Sequence, residues 1–203
     1  MKKLAIVTLS LLSGLVAMAQ NEQQTLFKSP HHVGWYVSPE FGYTQFEGKD
    51  VFLSGVSGGA IFNHSFSLGL GGYGIVNSSN LQYSTISPTE ILYLYGGYGG
   101  LKLEYILKPS SVAHVSFPLL IGGGGLSYSK SSMHDYHYED DNYATDEFFV
   151  IEPGIVMGIN LIKFMRLDAG ITYRYAPNID LPETSKGLLN TFNVVASLKF
   201  GKF

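Results

Sequence analysis

Two groups of side chains in this 203-residue chain have the types and spacing for chemistry. The first is "MHDYHYEDDNYATDE", Met133 to Glu147, which holds His134, Asp135, His137, Glu139, Asp140, Asp141, Asp146 and Glu147 and no lysine or arginine. Imidazoles and carboxylates ligate divalent cations, yet no EF-hand spacing or other cage accompanies the two histidines. The stretch reads as a solvated acidic loop, with a weak divalent-cation site at 133–147 as its functional alternative. A catalytic reading would join His134 and His137 to Ser131 or Ser132. A catalytic base needs a fixed hydrogen-bond partner, and these residues sit in mid-loop, so no catalytic residue is assigned. The second group is dispersed: Glu40, Lys102, Glu104, His114, Glu152, Arg166, Asp168, Arg174 and Lys199. Its acids and bases nearly balance, which suits ion pairing, because a charge removed from water must be paired.

The glycine runs "GGYGG" (Gly96–Gly100) and "GGGG" (Gly122–Gly125) are not phosphate loops, since no helix or lysine follows them as a phosphate loop requires. They relieve crowding between strands. No cofactor is implied. Cysteine is absent, which excludes disulfides and thiol chemistry, and a net charge of −3 gives no case for nucleic acid as a partner.

The elements that carry these residues are strands. Only 14% of the chain is charged, against about 25% in soluble domains. It opens "MKKLAIVTLSLLSGLVAMAQ": a Lys2–Lys3 head, an apolar run and Ala17-Met18-Ala19. That is the pattern of a secretory signal peptide over 1–19. A polar lead-in to the barrel follows over 20–32, on the periplasmic side.

From Val33 the hydrophobic period is two. In "VGWYVSPEFGYT" Val33, Trp35, Val37, Phe41 and Tyr43 alternate with small or polar residues. The same alternation predicts eight strands, at about 33–46, 51–62, 65–77, 90–107, 111–129, 147–162, 165–176 and 190–202. Tight connections at Asn63-His64, Lys108-Pro109-Ser110 and Lys163-Phe164 alternate with long polar ones, the signature of an up-and-down barrel with short turns at one end. The fold class is therefore all-β, an eight-stranded antiparallel transmembrane β-barrel over 33–203. The charges occupy the face opposite the apolar one, so the apolar face points outward to lipid and the charges pair inside. An interior of eight strands is filled by side chains, which makes the charged set a packed polar network.

"HVSFPLLIGGGGLSY" and "FFVIEPGIVMGINLIKFMRLDAGITYRY" resemble stretches of small outer-membrane barrels of the OmpA/OmpX type, in particular those of Bacteroidota-type bacteria. The resemblance covers Val33 to Phe203. It implies outer-membrane lipids and the barrel-assembly machinery as partners, with the aromatic end "NTFNVVASLKFGKF" as the assembly signal, read at Phe200 or Phe203. It implies a non-enzymatic envelope protein, structural or surface-presenting, located in the outer membrane. A lipid-modifying enzyme at the outer rim, or a narrow channel, is the alternative.

Turn positions also predict register. A turn centred on Lys163 pairs residues whose numbers sum to 326, which sets Glu152 against Arg174, Gly158 against Asp168 and Asn160 against Arg166. A turn centred on Pro109 pairs Glu104 with His114.

Overall fold

The computed structural model describes residues 32–76, 78–83, 92–129 and 144–203. The segments read as signal peptide and lead-in, up to residue 31, lie outside the described residues, as do Ser131, Ser132 and the acidic stretch up to residue 143. Among the described residues there are nine strands: β1 (Val33–Phe46), β2 (Lys49–Phe62), β3 (Phe66–Ile75), β4 (Gln82–Tyr83), β5 (Leu92–Leu107), β6 (Ala113–Ser129), β7 (Thr145–Ile162), β8 (Met165–Arg174) and β9 (Thr191–Lys202). All pairings are antiparallel. Sequential neighbours pair, β1 pairs β9 and β3 pairs β5, so eight long strands close into a barrel. The two-residue β4 lies outside the ring. It pairs with β5 at Tyr93 and Leu92, beyond the point where β3 stops at Gly97, and so covers an edge that would otherwise be open.

Short connections gather at the end that carries Val33 and Phe203, and longer ones at the other. The exception is the β1–β2 hairpin at the loop end, a two-residue turn in which Glu47 (φ 50°) and Gly48 (φ 80°) are both left-handed. That is the backbone a two-residue hairpin with the natural strand twist demands.

Inside and outside alternate strictly. β1 exposes Val33, Trp35, Val37, Phe41 and Tyr43 and buries Tyr36, Ser38, Glu40, Thr44 and Phe46. The outward face continues through Leu70, Leu101, Ile155, Met157, Ile171 and Val194, all exposed. Aromatics mark both rims of this belt. Trp35, Phe66, Tyr105 and Phe164 lie toward the termini, and Phe66 is directly opposite Tyr105. At the loop end, Tyr43 meets Phe52 with ring centroids 5.4 Å apart, and Tyr173 meets Phe192 at 4.9 Å.

Register agrees with the sequence arithmetic on one side and not on the other. Between β7 and β8, Gly158 opposes Asp168, Asn160 opposes Arg166, and Ile151 bridges Tyr175, every pair summing to 326; a bulge near Leu161 absorbs one residue beside the turn. Between β5 and β6, Glu104 opposes Pro118 and not His114. The connection is larger than a tight turn and runs from Lys108 (φ 50°) to Val112. β7 holds it open: the Asn160 amide donates to the Pro109 carbonyl at 3.1 Å and the Ser111 carbonyl at 2.7 Å, and Asn160 N donates to Val112 O at 2.8 Å. The offset is even, so Glu104 and His114 still face inward, but His114 stands opposite Gly158 of β7.

Candidate functional site

The dispersed group of acids and bases meets inside the barrel, where it forms three clusters. In the first, Glu40 of β1 accepts from Lys102 Nζ of β5, Ser57 Oγ of β2 and Tyr73 OH of β3. In the second, Glu152 of β7 receives Arg174 Nε at 3.2 Å, Tyr98 OH at 2.7 Å, Thr172 Oγ1 at 2.6 Å and Asn193 Nδ2 at 3.0 Å. Arg174 donates in turn to Asn193 Oδ1 at 2.8 Å, and its guanidinium lies over the Tyr98 ring, 4.5 Å from the centroid.

The third cluster lies nearer the termini. Lys199 Nζ is 2.7 Å from both Glu104 carboxylate oxygens and 2.8 Å from Asp168 Oδ2. His114 Nε2 stands 4.0 Å from Asp168 Oδ1. These two meet across Gly158, which opposes both, and a Cβ on that glycine would fall between them. Arg166 lies beside Lys199 in register, and its guanidinium rests 3.8 Å from the centroid of the Phe203 ring. The final phenylalanine therefore leaves the face of Leu198 and Phe200 and covers a lumen arginine.

Every acid here is buried with a base or hydroxyl against it, as the desolvation cost of a buried carboxylate requires. Between the clusters is one void of about 40 Å³, bounded by Glu40, Lys102, Glu104, Glu152, Asp168 and Lys199 among others. It has room for a few waters. Among the described residues no group of three or more His, Asp or Glu side chains is placed to hold a metal.

Several partners were not legible as site residues. Tyr73 and Tyr98 stand in glycine-rich runs, yet they share inward parity with Ser67 and Lys102, and parity is the signal that could have found them. The glycines make their room: a Cβ on Gly55 would strike the Tyr73 ring, and one on Gly124 would strike Tyr98 and Phe148. Thr172 and Asn193 likewise carry inward parity.

The interior at the loop end departs from a uniformly polar lumen. Phe46, Leu53, Leu94, Leu126, Tyr128 and Phe148 point inward there and are buried. Leu81 and Tyr83 pack onto them from the segment around β4, and Ile179, Leu181, Leu188 and Leu189 from the connection between β8 and β9. A connection whose apolar residues Ile179, Leu181, Leu188 and Leu189 flank a polar middle at 183–186 thus plugs the barrel.

Comparison with known proteins bears on fold. No family model matches the chain, and no curated protein matches it. Solved eight-stranded outer-membrane β-barrels do match. Neisserial surface protein A superposes with a TM-score of 0.54 at 13% identity, covering 87% of this chain and 100% of its own. Ail, the attachment invasion locus protein of Yersinia pestis, solved with the heparin analogue sucrose octasulfate, gives 0.50 at 10% identity, covering 83% and 97%. By fold the chain is a closed eight-stranded barrel of the small outer-membrane kind.

Proposed function

We propose that this protein spans the outer membrane as a non-enzymatic barrel whose sealed interior serves stability, and that its role in the envelope is structural or surface-presenting. The observation that carries the reading is the exposed apolar belt between two aromatic rims, set around an interior of compensated charge. In water such a belt would be an aggregation surface far beyond the patch size soluble monomers carry. In hydrocarbon it is matched to its solvent, and the ring of eight long strands closes through the β1–β9 and β3–β5 pairings. A void near 40 Å³ and an apolar plug above it favour a packed barrel over a channel.

Outer-membrane lipids and the barrel-assembly machinery are the partners this reading requires. Phe200 faces outward on the last strand and Phe203 turns in over Arg166; we assign the assembly signal to this pair. The test is fractionation of the expressed protein with folded-band analysis. The chain is expected in the outer-membrane fraction, with a compact band that shifts on boiling. Recovery as a soluble periplasmic protein overturns the reading.

A further inference from the structure

The apolar chamber at the loop end is filled by the chain itself. The connection 176–190 closes on its own ends: Ala176 N donates to Asn190 Oδ1 at 2.7 Å, and Ile179 N donates to Lys186 O at 3.2 Å. Left-handed Asn178 (φ 64°) and Glu183 (φ 62°) make its bends. It is a compact loop with joined ends. Its fastenings to the wall include Tyr128 OH to Pro182 O at 2.8 Å, Asp180 N to Asp146 Oδ2 at 2.7 Å and Ser185 N to Glu47 Oε1 at 3.0 Å.

Below the loop lies Arg174, fully buried, whose Nη1 meets no acceptor among the described residues. Arg174 and Leu189 line one void of about 10 Å³, together with Phe46, Leu53, Tyr98 and Phe148. Arg174 Nε and Nη2 are engaged by Glu152 and Asn193, which leaves Nη1 to serve a second acceptor. Along β5 the chamber wall runs from Leu92 to Tyr98, about 20 Å at the strand rise.

From this we propose that the chamber is a binding site for a single-chain amphiphile with a carboxylate head, a free fatty acid in chemical class. The ligand displaces Leu188 and Leu189, lays its chain against Phe46, Leu53 and Leu126, and places its carboxylate on Arg174 Nη1. Apolar walls select hydrocarbon. An eight-stranded interior admits one chain and not two. A buried, always-charged guanidinium nitrogen selects an anionic acceptor such as carboxylate. The loop is then the resident occupant that a ligand must replace. This goes beyond the envelope role and rests on the interior alone.

The chain has two arginines, Arg166 and Arg174, so the test carries an internal control. The probe is dodecanoate, titrated into ¹⁵N-arginine-labelled barrel in nanodiscs, with side-chain Nε–H resonances as readout. A saturable shift of Arg174 with Arg166 unmoved is expected, and dodecanol should leave Arg174 unmoved. Leu188→Ser/Leu189→Ser should bind at least tenfold tighter, because the resident occupant is weakened. Arg174→Gln should bind at least tenfold weaker by displacement of a fluorescent fatty acid; should that variant not fold, the wild-type and loop-variant titrations decide. No saturable shift, parallel shifts of both arginines, an equal shift with dodecanol, or unchanged affinity in the loop variant overturns the proposal.

Discussion

Arg174 Nε lies 3.2 Å from Glu152 Oε2 across adjacent strands, and both side chains are buried. Arg174→Met strands a carboxylate in the interior and should cost about 3–5 kcal/mol. Glu152→Gln keeps one acceptor oxygen for Thr172 and Asn193 and turns an amide donor toward the Tyr98 hydroxyl, while removing the charge. The double variant should therefore cost at least about 1 kcal/mol less than the sum of the single changes. Urea unfolding of the four proteins, read by the heat-shifted band, measures this, and strict additivity would show that the two groups do not act as a pair.

Gly158 makes the gap in which His114 and Asp168 meet. A methyl there would crowd His114 Nε2 and Asp168 Oδ1, so Gly158→Ala should destabilise by about 1–3 kcal/mol. Gly125 faces outward with its nearest neighbour 3.7 Å from a built Cβ, and Gly125→Ala should stay within about 0.5 kcal/mol of the parent. The same unfolding assay compares them; equal losses would mean that strand glycines matter here for backbone reasons alone.

Why these partners were only partly readable from the sequence follows from what a periodic pattern encodes. Alternation at Val33–Tyr43 and Leu167–Tyr175 states which side chains share a face, and the two-residue turn at Lys163-Phe164 fixes one register. It does not state how large a connection is. Pro109 marked a turn centre, but Asn160, 51 residues later, enlarges that connection by binding two of its carbonyls, and the Glu104 partner moved from His114 to Pro118. The apolar plug was hidden for a related reason. Ile179, Leu181, Leu188 and Leu189 have no strand period, and their meaning appears only when the loop folds back over inward residues such as Phe46 and Leu126.

At the terminal end His32 stacks on His64 with centroids 4.0 Å apart, and the His32 carbonyl accepts from Asn63 N at 2.9 Å. Burial, then the charges of His64 and Lys202, hold His32 below its ordinary value of 6.5. The folded chain thus binds fewer protons at His32 than the unfolded one, so this contribution is complete above 6.5 and is lost as pH falls through the lowered folded value. An NMR titration should give His32 a midpoint below 6.5, with extra exchange at the Asn63 amide by about pH 5. A midpoint above the ordinary value would mean that the stack favours the charged ring.

The central claim is that the apolar face meets lipid. Because the chain lacks cysteine, single cysteines at Phe41, Ile155 and Val194, which are 60%, 59% and 58% exposed, can each carry a spin label in the assembled protein. Collision of those labels with oxygen and with a water-soluble nickel chelate is the direct measurement. The account predicts strong broadening by oxygen and almost none by the chelate at all three positions. Ready access of the chelate to all three would place the face in water and contradict it.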